Sequence, residues 1–172
     1  MIAVSTVAGP TAPREAVIRP RPSAPPPHAR RLPGGAPDDW PSKIEFDAVR
    51  AACRASGGIA TGDDLGRLLE DHRCGDFVSL ARHIVCGDIF GFEWQGTFWV
   101  PMFQFDLRDL SFKESPRRVR AELSEGFDGW ALADWFAQPN TWLGDRPPVD
   151  LLDTHLAAVL EAARADRFIV AG

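Results

Sequence analysis

The chain has 172 residues, 45% of them hydrophobic, with six Trp and eleven Phe, enough core for one folded domain or two very small ones. It has no run of eighteen apolar residues and no charged-then-apolar export pattern at its start, which argues against membrane spanning or secretion and for a cytoplasmic protein. The net charge of −5 is unevenly spread: residues 1–43 carry +3 and the remainder −8, so the folded part is a poor non-specific nucleic-acid binder but suits a basic partner surface.

Residues 1–41 hold ten of the fifteen prolines together with Arg14, Arg19, Arg21, Arg30 and Arg31. This composition predicts a disordered Pro/Arg-rich leader that samples extended, polyproline-like states. Lys43–Ser56 reads as the first helix, with Ile44, Phe46, Val49 and Cys53 on one face and Gly57-Gly58 ending it. Thr61-Gly62-Asp63-Asp64 resembles a capping box and opens a helix that uses Leu65, Leu68 and Leu69. After a turn at His72–Gly75, Asp76 caps a third helix, Phe77–Cys86, with Phe77, Leu80, Ala81, Ile84 and Val85 as the expected buried set.

Phe90, Phe92 and Trp94 alternate with Gly91 and Glu93, the period of a strand. Gln95-Gly96 is a hairpin turn, and Thr97–Phe105 returns. Pro101 removes a ladder donor, which predicts an edge strand or a bulge there. The aromatic set spreads over both hairpin faces. One face is expected to pack on helices and the other to meet another surface such as a second copy; the alternative is that the C-terminal helices cover both. Helix, helix–turn–helix and hairpin is the order of a winged helix.

Ser115-Pro116 is expected to cap a helix Arg117–Leu123, with Val119 and Leu123 inward and Arg117, Arg118 and Arg120 outward. Asp128 caps Gly129–Ala137, whose Trp130, Leu132, Ala133 and Phe136 form an apolar stripe. Gln138–Pro148 is a loop. A long final helix is expected from Pro148, with Asp150 accepting amide hydrogen bonds at its start and an apolar tail at Arg167–Gly172. The expected class is therefore mainly α: a leader (1–41), a helical module with an aromatic hairpin (42–112), and a three-helix C-terminal unit (113–172).

Spacing bears on three other chemistries. His72, Cys74, His83 and Cys86 form H-x-C-x8-H-x2-C, which matches no familiar zinc finger, and buried packing of the cysteines is the simpler reading. Ser79 and His83 with nearby Asp76 lack an oxyanion-forming glycine turn, so no enzyme is expected, and neither a Walker-type loop nor GxGxxG points to a nucleotide cofactor. On the third helix Ser79, Arg82 and His83 are the candidates for DNA contact. Asp76 and Asp88 flank that helix and the hairpin carries Glu93 without Lys or Arg, which favours a protein-facing use.

The run Trp135-Phe136, Pro139-Asn140, Trp142-Leu143-Gly144, Pro147 or Pro148, Asp150-Leu151-Leu152 resembles the toxin-binding domain of the Xre/MbcA/ParS-like bacterial antitoxins. The likeness is dense from Trp135 to Leu152 and weak back to about Ile89. Phe136 replaces a usual leucine, Asp145 a usual second glycine, and Pro147-Pro148 is an unusual pair. Members of that family pair with RES-domain toxins, which degrade NAD, and block them with the C-terminal part of the antitoxin. The resemblance implies a RES-like toxin as partner. Trp142, Leu143, Gly144, Asp150, Arg164, Arg167, Phe168, Ile169 and Val170 are then the expected toxin-binding residues, with Gly144 in a backbone conformation closed to other residues. The alternatives are a winged-helix transcription regulator whose C-terminal part mediates homodimerisation, and a stand-alone adaptor.

Overall fold

The computed structural model describes residues 40–123 and 126–171, so the expectation for the leader, apart from Trp40 and Pro41, lies outside the described residues. Ser42 and Glu45 cap each other reciprocally at the start of α1 (Lys43–Ala52): the Ser42 hydroxyl accepts from the Glu45 amide at 3.3 Å and the Glu45 carboxylate from the Ser42 amide at 2.7 Å. The chain then tightens into a 3-10 turn, Cys53–Ser56, and Gly57 stops it at φ 103°. Phe46, Val49 and Cys53 are buried as expected. Ile44 is not; it lies off the stripe set by those three residues and faces solvent.

A three-residue strand, β1 (Ile59–Thr61), precedes α2 (Gly62–Asp71) and was not anticipated. Thr61 caps α2, as the sequence indicated, by accepting from the Asp64 amide at 3.1 Å. After α3 (Phe77–Cys86), β2 (Phe92–Trp94) and β3 (Thr97–Pro101) form a hairpin whose turn residues Gln95 and Gly96 both take positive φ, 50° and 75°. The antiparallel sheet has the order β1-β3-β2. The expected edge strand is thus the central one. Pro101 is tolerated because pairing with β2 ends at Trp99, and the missing donor falls opposite Ile59 at the end of β1.

Each sheet face meets other elements of the chain, with Glu93 and Phe98 left exposed. On one side Phe46 of α1 stacks on Trp94 at 3.9 Å, and Phe92 meets Trp130 of α5 (Gly129–Ala137) edge-on at 5.2 Å. On the other, Val100 sits with Leu65, Leu69, Leu80, Ile89 and Met102 in a second cluster. Here α2 and α3, not the C-terminal helices, supply the cover.

Gln104 joins the two sides. Its buried amide accepts from the Phe90 amide at 2.8 Å and donates to the carbonyls of Phe90, at 2.8 Å, and Pro101, at 3.0 Å. A side chain here does the work of a strand partner, holding Phe90 where no ladder reaches it.

The burial of α3 departs from expectation. Only Leu80 is fully buried; Phe77 is 53% and Val85 87% exposed, and Ala81 also faces solvent. The helix packs on α2 along one narrow stripe, with Phe77 lying over Gly66 at its start. Cys74 and Cys86 are exposed, against the expected packing, whereas Cys53 is buried and its thiol is pushed up to about 12 by that burial.

The C-terminal half adds α4 (Glu114–Leu123), α5 and α6 (Leu156–Ala171), giving a mainly helical fold of six helices with one small sheet among the described residues. α4 begins before Ser115-Pro116 and takes both into its first turn. Arg120 turns inward to donate to the Gly87 carbonyl, unlike Arg117 and Arg118. The long final helix is in fact two pieces: a 3-10 turn Pro148–Leu151, then α6. The tail from Arg167 is not a separate segment, since α6 runs through it to Ala171. The larger core cluster takes residues from α1, β2, α4, α5 and α6 alike, so it runs across residue 112. No helix among the described residues is long and apolar enough to cross a membrane.

Replacing Gln104 by Leu keeps its bulk but strips both polar groups of Phe90 of their partners. The expected loss is about 3 kcal/mol on urea titration, from the usual cost of stranded buried backbone groups. An unchanged midpoint would mean the bridge contributes nothing.

Candidate functional site

The site is best built outward from Asp166, a residue the sequence reading passed over. α6 buries Val159, Ala162 and Ala163, and Asp166 continues that inward stripe one turn on, itself only 8% exposed. Its Oδ2 accepts two hydrogen bonds: from the Trp135 indole at the end of α5, at 2.8 Å, and from the Asn140 side-chain amide, at 2.9 Å. A carboxylate on an otherwise apolar stripe was the signal available in the sequence. It marks a buried polar partner, since an unpaired charge there would be too costly.

Asn140 organises the loop around this anchor. Its side-chain oxygen accepts from the Trp142 amide at 2.9 Å, starting a 3-10 turn, Thr141–Leu143. Its backbone pairs with Arg146 across the loop, the Asn140 amide donating to the Arg146 carbonyl at 3.2 Å. The reversal between them uses two left-handed residues, Gly144 at φ 66° and Asp145 at φ 59°. Gly144 adopts this freely, and Asp145 is among the few side chains that tolerate it.

The expected toxin-binding residues whose side chains are described take different settings. Leu143 is buried as part of the loop's attachment, and Gly144 serves the turn. Trp142 is 46% exposed. Asp150 is exposed in the 3-10 turn well ahead of α6, so it does not cap that helix as expected. Arg164 and Arg167 both reach Glu122 on α4, with closest approaches of 2.9 Å and 3.4 Å. Phe168 is 74% exposed, 5.8 Å from the Arg167 guanidinium. At about 100° per residue it points away from the Asp166 side of α6. Ile169 and Val170 continue the helix, but their side chains lie outside the described residues.

The candidate DNA-contact residues are placed together on α3 but are mostly engaged internally. Ser79 completes the helix cap: its hydroxyl accepts from the Asp76 amide at 2.7 Å, and its amide donates to the Asp76 carboxylate at 2.7 Å. His83 is hydrogen-bonded to Asp88 at 2.9 Å and packs edge-on against Phe112. That bond, with Arg117 and Arg120 nearby, holds Asp88 below the usual carboxylate range. Arg82 alone is exposed, between Val78, Ala81 and Val85. Ser79 thus pairs with Asp76 and His83 with Asp88, and neither makes a bond to the other. Among the described residues no three His, Cys, Asp or Glu side chains are grouped to hold a metal ion.

Asp166→Ala should cost about 3 kcal/mol, because it leaves a buried indole donor without a partner and frees the loop. Asp150→Ala should change stability by less than about 0.5 kcal/mol, as for an ordinary surface site. Equal effects of the two substitutions on denaturant titration would overturn this assignment of anchor and bystander.

No protein-family model, no curated protein and no solved structure matches the chain.

Proposed function

We propose that this is a cytoplasmic binding protein of antitoxin type, which docks a RES-like NAD-degrading toxin through its C-terminal unit. The observation that supports this reading most is Trp142, a half-exposed indole on a turn pinned to the buried Asp166. A large aromatic held rigidly in water is the ordinary form of an interface anchor, because little side-chain freedom remains to be lost on binding. The same turn belongs to the stretch that resembles the antitoxin domain, and the residues that define the likeness are those that build the loop.

The inhibitory element in this reading is the end of α6, presented as a helix, with Phe168 as its exposed apolar group. Arg164 and Arg167 brace α6 against α4 through Glu122, and reach a partner's carboxylate only by exchanging that bond. The runner-up, a DNA-binding regulator, draws on the order of helices and strands. The charge on α3 counts against it, since Arg82 is its one exposed cation and Asp76 stands at its start.

The test is co-expression with a RES-type toxin. The wild-type chain should form a stable complex and protect the cells. Trp142→Ala should weaken the complex by ten-fold or more, as expected of an aromatic anchor worth about 2 kcal/mol, with the free protein's midpoint unchanged. Phe168→Ala should reduce protection without unfolding. Full binding and protection by both variants would contradict the proposal.

A further inference from the structure

A second surface lies where the hairpin turn meets the starts of α2 and α3. A cleft there is lined by Gly62, Asp63, Phe77, Gly96, Thr97 and Phe98. Gly62 is its floor: a side chain added there would come within 3.3 Å of the Phe98 ring and 3.8 Å of the Phe77 ring. The two rings therefore converge over backbone, and both remain accessible, Phe98 at 38%. Glu93 pairs with Phe98 across the strands and so lies on the same face. Neither Asp63 nor Glu93 meets a cation among the described residues, whereas neighbouring Asp64 is taken by Arg67 and Asp76 by Ser79. Two accessible aromatic walls with free carboxylates beside them match one ligand chemistry, a proline-rich strand that carries arginine.

The chain itself contains such a strand, Arg19-Pro20-Arg21-Pro22-Ser23-Ala24-Pro25-Pro26-Pro27. The described chain starts on the other face of the same hairpin. The Pro41 carbonyl accepts from the Trp94 indole at 3.0 Å, and Trp94 pairs in register with Thr97, which lines the cleft. From Pro22 to Trp40 the connecting backbone can span up to about 60 Å, ample to turn the edge of the hairpin. We propose that the cleft between Phe77 and Phe98 docks this arginine-proline segment of the same chain, with prolines against the two rings and Arg19 or Arg21 against Asp63 and Glu93. The covalent link supplies an effective concentration in the millimolar range, so a contact too weak to hold between separate molecules is populated within one. Its occupancy covers the start of α3 and the hairpin tip.

Paramagnetic broadening in the full-length chain tests this. A nitroxide is placed on Ser23→Cys in a Cys74→Ser/Cys86→Ser background, where buried Cys53 does not react. The amides of Gly62, Phe77, Gly96, Thr97 and Phe98 should broaden selectively. The broadening should be lost in Asp63→Lys/Glu93→Lys and return when Arg19→Glu/Arg21→Glu is added. Absent or uniform broadening overturns the proposal, as does broadening insensitive to the charge reversal. Broadening seen only in a mixture of labelled and isotope-enriched chains also overturns it, by assigning the cleft to another copy's segment.

Discussion

One carboxylate oxygen holds the C-terminal half in register. Asp166 sits in the apolar stripe of α6 and accepts from two donors brought by different segments, the Trp135 indole of α5 and the Asn140 amide of the loop. Burying a polar side chain is unfavourable by itself, and here two hydrogen bonds to one oxygen offset the cost. The geometry that satisfies the carboxylate also fixes the angle between α5 and α6 and the position of the turn between them. Trp142 is exposed on that turn because Asn140 spends one end of its side chain on Asp166 and the other on the Trp142 amide. Packing, loop shape and the candidate binding surface thus follow from one interaction.

Gln104 plays the corresponding role in the first half, supplying Phe90 with both of its backbone partners between two hydrophobic clusters. The sheet lies between those clusters, and α5 packs on the same aromatic face as α1. The segments before and after residue 112 consequently share one core, and a change in the hairpin is felt by the C-terminal helices. Exposed apolar groups among the described residues include Trp142 on its turn, Phe168 on α6, and Phe77 and Phe98 at the hairpin-tip cleft.

Local signals in the sequence translated well because the atoms that decide them are neighbours in the chain. Thr61, Asp76 and Asp128 cap the helices they were expected to cap, and Gly57, Gly96 and Gly144 take the positive φ their turns require. Burial on α3 was misjudged because its apolar residues exceed what α2 can cover; periodicity identifies an apolar face without saying which part finds a neighbour. The break before α6 was missed for a related reason. Leu151 and Leu152 keep helical spacing, yet they are buried from a 3-10 turn and the turn that follows it. The partners of Asp166 and Gln104 were not legible, since they lie 26 or more and 14 residues away.

The central claim, a rigid anchor at Trp135 that displays an accessible Trp142 to a protein partner, is tested most directly by hydrogen exchange at the two indole N–H groups. In the free protein the Trp135 indole should exchange only on global unfolding, and the Trp142 indole rapidly. On mixing with a RES-type toxin, the proposed partner, Trp142 should become protected and Trp135 stay unchanged. Rapid exchange at Trp135 in the free protein, or a Trp142 indole left unprotected in a formed complex, would contradict the account.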